Sequence, residues 1–127
     1  DLIKQSYPDA VGPLIVHRLD MSTSGLMVLG LTKDAHKNLQ KQFIQRSIKK
    51  RYIALLDGLL TVDKGYIDLP LRVDLDDRPR QLVCYKYGKP AQTQWQLIER
   101  KGRQSLVYFY PVSGRTHQLR VHAAHLN

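Results

Sequence analysis

The residues best equipped for chemistry are concentrated in positions 17–25, HRLDMSTSG, where a His, an Arg and an Asp stand around one leucine, followed by small hydroxylated residues and a glycine. An aspartate so placed can act as a nucleophile, a base or a metal ligand. A metal site needs several carboxylates or histidines that converge, and the only acidic cluster, Asp74, Asp76 and Asp77, lies in a proline-flanked stretch that reads as a plain loop. His117, His122 and His125 invite a zinc reading, but the last two lack the i, i+4 spacing of a zincin helix and no third ligand is signposted, so they read as packing or polyanion-facing groups and no metal is expected. Ser22, Ser24 and Ser113 have no G-x-S-x-G elbow around them, which argues against a Ser-His-Asp hydrolase. Neither a Walker loop nor a G-x-G-x-x-G is present, and no nucleotide cofactor is expected. What remains is a carboxylate with arginines nearby.

The elements that must position this stretch follow from periodicity. Residues 1–7 form a short amphipathic turn of helix ended by Pro8. Leu14–Val16 and Leu26–Leu31 read as two buried strands, which makes HRLDMSTSG the loop between them. Thr32 is an N-cap for a helix reaching about Arg46, with Asp34 in its first turn. Ala35, Leu39 and Phe43 make its core face, while Lys33, Lys37 and Lys41 repeat the same spacing on another, either a solvated face or a polyanion-contacting ridge. Strands are expected at 51–58, at 65–69 with Pro70 making it an edge or an end, and at 80–87, 91–99 and 104–110, joined by Gly-containing turns. Ser113-Gly114 then turns the chain into a helix from about Arg115. Strands that follow one another through short turns give an α+β fold with a mixed, mostly antiparallel sheet and flanking helices.

The bulk properties narrow the partners. The length of 127 residues suits one compact domain. Twenty Lys and Arg against eleven Asp and Glu give a net charge of +9, which favours a polyanion through phosphate contacts and counterion release. Nucleic acid ranks ahead of membrane, because no lipid-facing amphipathic helix and no long apolar run occurs. The single cysteine, Cys84, rules out an internal disulfide, fits a reducing compartment and reads as a buried strand thiol. No apolar leader segment precedes the first elements, so the cytoplasm is the expected location.

Four stretches in order, HRLDMSTSG, KKRYIALLDG, GKPAQT and VSGRTHQLRVH, resemble the RluA branch of the pseudouridine synthases, and the resemblance runs from about Val16 to His122. It implies the catalytic fold of that family and isomerisation of uridine within ribosomal or transfer RNA, with no cofactor or metal consumed. The N1–C1′ bond breaks, the base turns while held, and C5 bonds to C1′. It further implies that Asp20 is the catalytic carboxylate, that Tyr52 lies against the uracil with its phenol near the C5 proton, and that Arg120 pairs with the aspartate. Arg18 would fill the space left by the flipped base, and His17, Lys50 and Arg115 are read with it as RNA-binding residues; taken by itself, His17 reads as holding the loop by a hydrogen bond to backbone in preference to general-base work.

Elementary chemistry is compatible with these roles. Glycosidic cleavage builds positive character on the sugar, so an ionised carboxylate can attack C1′ or take a proton from C2′, and the sequence leaves both routes open. A neighbouring arginine favours the ionised form. A tyrosine offers a face for stacking and a phenol for proton transfer. Taken singly, Asp20 reads as a turn-former, Tyr52 as a half-buried strand residue and Arg120 as a surface charge; their joint occurrence at this spacing reverses that reading. A non-catalytic RNA-binding module that keeps the fold is the alternative. Family members also carry a Lys-Pro strand before the catalytic loop and a Gly-Asp-x-x-Tyr after R-V-H. Neither is in this sequence, so residues 1–127 are expected to form one catalytic domain incomplete at both ends, its exposed sheet edges open to self-association.

Overall fold

A computed structural model describes residues 2–126, and the chain divides into two compact units between Ile48 and Lys49.

The first unit holds α1 (Leu2–Ser6) and α2 (Lys33–Ile44). Thr32 caps α2 as expected, its hydroxyl accepting from the Ala35 N–H at 3.1 Å, and Asp34 sits in the first turn where the helix dipole favours an anion. Ala35, Leu39 and Phe43 are half-buried, and Lys33, Lys37 and Lys41 are exposed. The two strands expected around HRLDMSTSG are not formed as buried strands. Residues 15 and 29 make a single antiparallel bridge, Leu14 is buried, and Leu26 is 94% exposed. The reason lies in the hydrogen bonds: the Val28 N–H is directed to the His17 ring and not to a neighbouring strand. Among the described residues no further strand adjoins the bridge, so a ladder cannot propagate.

The second unit is built on an antiparallel sheet in the order β1 (Tyr52–Asp57), β6 (Gln104–Pro111), β5 (Gln92–Lys101), β2 (Lys64–Asp68). β3 (Leu71–Val73) and β4 (Gln81–Val83) form a separate hairpin, and α3 (Gln118–Ala124) packs on β4 and β6. Alternation along β1 and β6 sets one face inward: Leu60, Ile67, Trp95, Val107 and Phe109 form the core, with Tyr52, Ala54, Leu56, Leu119 and Ala123 packed against it. Ser105, fully buried on β6, accepts from the Leu60 N–H at 3.0 Å and donates to the Gly58 carbonyl at 2.9 Å, tying the loop after β1 to the sheet. β2 is an edge strand that stops before Pro70, as its sequence implies.

Two further expectations need correction. The strand expected over residues 80–87 is only three residues long, because the chain turns at Cys84, where the Gly88 N–H bonds back to the Cys84 carbonyl at 2.8 Å. Cys84 is therefore a half-buried turn residue and not a buried strand thiol. Its sulfur accepts from the Tyr87 N–H at 3.4 Å, and that bond holds the thiol pKa below its ordinary value. The final helix starts at Gln118 and not at about Arg115, because residues 113–117 wrap around the Gln118 side chain.

Candidate RNA-modifying site

Three of the four motifs meet at one end of the sheet in the second unit, and the register shows how. Tyr52 opens β1 opposite Phe109, near the C-terminal end of β6; Thr93, at the start of β5, stands opposite Pro111. KKRY, GKPAQT and VSGRTHQLRVH therefore enter or leave the sheet side by side.

Beneath this end lies a buried polar network built from side chains of GKPAQT and VSGRTHQLRVH to which the sequence alone assigns no joint role. The Gln118 amide is fully satisfied: its oxygen accepts from the Ser113 hydroxyl at 2.7 Å and the Arg115 N–H at 3.0 Å, and its nitrogen donates to the Gln92 carbonyl and the Thr93 hydroxyl oxygen, both at 2.9 Å. The Ser113 oxygen also accepts from the Gln92 N–H at 3.1 Å. His122, fully buried, bonds to Thr93 through Nδ1 and to the Leu69 carbonyl through Nε2, each at 2.9 Å. The carbonyl can only accept, so Nε2 carries the proton and the Thr93 hydroxyl donates to Nδ1. Burial pushes the His122 pKa down, with the neighbouring His125 adding to the effect and the Leu69 carbonyl and Asp68 opposing it. His122 is thus a structural histidine and not an RNA-facing one. His125 caps α3 through the Val121 carbonyl, and among the described residues no group of His, Cys, Asp or Glu could hold a metal ion.

The network fixes what faces outward. Arg120 is an exposed residue of α3, one position beyond Leu119, which packs on the core. Tyr52 is half-buried with its ring side on the same core. Arg115 is anchored by a 3.0 Å bond from Nε to the Pro90 carbonyl, and the Lys50 ammonium lies against Gly114, 3.3 Å from where a Cβ would stand. Arg51 places its guanidinium 4.6 Å from the Tyr108 ring centre. This end of the sheet is consequently rimmed by cations.

The fourth motif lies in the first unit, on a loop held differently. Thr23 donates its N–H to the Asp20 carbonyl at 3.0 Å, so Asp20 stands at the first corner of a tight turn, half-buried, with Arg18 exposed beside it. His17 accepts the Val28 N–H on Nε2 at 2.9 Å and stacks on Phe43 of α2, with ring centres 4.9 Å apart, which is the backbone-holding role its position suggested. His36 of α2 bonds to the Ile15 carbonyl at 3.1 Å from the other side. Gly30 passes so close to α2 that a Cβ there would come within 2.5 Å of the His36 Cα, leaving no room for any other residue. Two histidines and one close approach thus fix both ends of the HRLD turn to α2.

An α+β domain whose antiparallel sheet ends in a basic rim over a buried polar network is suited to hold a phosphate-bearing substrate, and the comparisons with known proteins place it in a class of RNA-modifying enzymes. The sequence model of the RNA pseudouridylate synthase family matches residues 2–125, and the chain belongs to that family. It is 50% identical over 121 residues to the dual-specificity RNA pseudouridine synthase RluA of Yersinia pestis and 46% identical to that of Escherichia coli K12, with 94% of this chain aligned in each case. Those alignments cover 57% and 54% of the relatives, so the chain spans about half the length of the curated proteins it matches. Among solved structures, human RNA pseudouridylate synthase domain containing 1 superposes with a TM-score of 0.84 at 30% identity, over 98% of this chain and 54% of that one. Human domain containing 4 gives 0.80 at 29% identity, over 98% and 51%. No helix among the described residues is long and apolar enough to cross a membrane.

Proposed function

We propose that this chain carries the catalytic core of an RNA pseudouridine synthase that isomerises uridine to pseudouridine, acting on ribosomal RNA, transfer RNA or both, in the cytoplasm. Membership of the family supports the reaction, and the observation that carries the site is the convergence of KKRY, GKPAQT and VSGRTHQLRVH at one cation-rimmed end of the sheet. The relatives' dual specificity is extended to this chain in the proposal that more than one RNA is accepted.

In this reading Asp20 supplies the carboxylate that meets the sugar as the N1–C1′ bond breaks, either by attack on C1′ or by removing the C2′ proton. Its place at the corner of a turn leaves the carboxylate half-exposed and open to a substrate. The family resemblance assigns Arg120 as the arginine partner of this carboxylate, and an arginine in that role favours the ionised state. Tyr52 lies against the uracil, where its phenol is available when the C5 proton must leave after the C5–C1′ bond forms. A base must leave its stack to expose C1′, and Arg18 fills the gap, offsetting an unstacking cost of a few kcal/mol. His17, Lys50 and Arg115 hold the RNA, with His17 doing so through the loop it anchors. The basic charge of the chain adds a sequence-independent term that weakens with salt.

The test is direct. Unmodified ribosomal and transfer RNA transcripts are incubated with the protein, digested to nucleosides and separated by chromatography. New pseudouridine is expected. RNA binding without any pseudouridine from either transcript would instead make the chain a binding module that keeps the fold.

A further inference from the structure

A cleft in the second unit lies outside the residues assigned above, with the exception of Arg115. It is lined by Arg72 and Gln81 of the β3–β4 hairpin, by Tyr87 and Lys89 of the turn that follows, and by Arg115 and Thr116 of the loop before α3. Its volume of about 750 Å³ is within the range of small-molecule sites. Three of its lining residues are cations and none is acidic.

The turn that presents Tyr87 and Lys89 is held rigid by its own backbone. Gly88 has no space for a side chain: a Cβ would come within 2.2 Å of the Cys84 carbonyl oxygen and 2.8 Å of the Pro70 carbonyl carbon. Lys89 and Leu71 exchange both backbone hydrogen bonds, at 2.8 and 2.9 Å, and the Cys84 N–H bonds to the Pro70 carbonyl at 3.0 Å. The Tyr87 ring therefore stands out from a clamped backbone, 63% exposed, with the Arg72 guanidinium 5.4 Å and the Lys86 ammonium 5.2 Å from its centre.

We propose that this cleft is a subsite for an unstacked nucleotide of the RNA strand that flanks the target uridine, with the base stacked on Tyr87 and its phosphates held by Arg72, Lys89 and Arg115. The proposal rests on the RNA reading above and adds to it residues that none of the four motifs assigns to RNA. A base that displaces either cation from the ring exchanges a cation–π contact for stacking and releases that cation to a phosphate. An aromatic ring held on a clamped turn loses little freedom on binding, which favours its use as a stacking platform. Arg115, tethered through Nε to the Pro90 carbonyl, keeps both Nη groups for a phosphate. Gln81 and Thr116 add neutral hydrogen-bonding groups to the lining. An acidic peptide or a lipid headgroup would use the cations but not the exposed ring between them, so the combination favours RNA.

Binding of a short fluorescein-labelled single-stranded RNA is measured by anisotropy at several salt concentrations. Tyr87→Ala should raise Kd about tenfold, while Tyr87→Phe, which keeps the ring, should bind like the parent. Arg72→Gln combined with Lys89→Gln should weaken binding and lower the salt slope by about 1.4, or ~0.7 for each phosphate no longer neutralised. Lys101→Gln combined with Arg103→Gln makes the same charge change at the opposite end of the sheet and should leave most of the affinity. If the parent binds RNA and Tyr87→Ala binds equally well, the subsite is wrong and the RNA reading stands. If the parent binds no RNA, both fall; capture by phosphatidylserine vesicles, abolished in the Arg72/Lys89 variant, would then reassign the cleft to a lipid headgroup.

Discussion

The HRLD loop of the first unit and the SGRTHQLRVH loop of the second are both fixed by polar side chains, but to very different degrees. The second is held by Ser113, Gln118, Thr93 and His122, each buried and bonded to the next. The first hangs on two single histidine bonds, one ring stack, a glycine contact and the isolated bridge in which the Gly30 N–H donates to the Leu14 carbonyl, and α2 beneath it buries none of its residues. A buried, fully bonded network is costly to disturb, because every partner removed strands another polar group away from water. A loop held by a few half-exposed bonds opens locally at low cost, which suits the proposed role of letting a nucleotide in and out. In the proposed function the more rigid part carries positioning groups, and the more yielding part carries the carboxylate.

This contrast makes unequal demands on mutation. Gln118→Ala should destabilise the protein by about 3 kcal/mol in denaturant unfolding, because it leaves the Ser113 hydroxyl proton and the Arg115 N–H without their acceptor, takes one bond each from Thr93 and the Gln92 carbonyl, and leaves a small cavity. His17→Ala removes one hydrogen bond and one ring stack in a more exposed place and should cost about 1 kcal/mol, with faster hydrogen exchange at the Val28 amide. Equal destabilisation by the two would erase the distinction between the loops.

A smaller effect reads the network through pH. The folded state holds the His122 pKa below its ordinary value, so the unfolded chain binds the proton more readily. The stability this histidine contributes is complete above an unfolded pKa of about 6.5 and declines as pH falls below it. Protonation would put a hydrogen on Nδ1 facing the Thr93 donor, and Gln118 shares that hydroxyl. Melting temperature followed from pH 7.5 downward, roughly the window set by an ordinary histidine, should fall more steeply in the parent than in His122→Asn. Identical slopes would place the titrating group elsewhere.

Much of the framework could be read from the sequence, and the misreadings have physical causes. The cap at Thr32 and the alternation of YIALLD and QSLVYFY are local signals, and the corresponding elements formed where expected. LMVLGL carried the same apolar signal but lies exposed around one bridge, since a buried strand needs neighbours that periodicity cannot supply. β3 escaped notice because three residues are too few to show alternation. The network under the sheet was illegible for another reason: Thr93 and His122 are 29 residues apart, and singly each reads as an ordinary strand or helix residue. Asp20, Tyr52 and the arginines are proposed through their motifs, whereas Tyr87 and Arg72 belong to no motif and needed the turn geometry to be seen together.

The most direct measurement follows tritium released to water from RNA labelled at uridine C5, comparing the parent with Asp20→Asn under conditions where both bind the RNA. The account predicts release by the parent and a drop of at least about a thousandfold in the variant, with binding and unfolding unchanged, because the amide can neither attack C1′ nor take a proton from C2′. Release by Asp20→Asn at a rate near the parent's would contradict it.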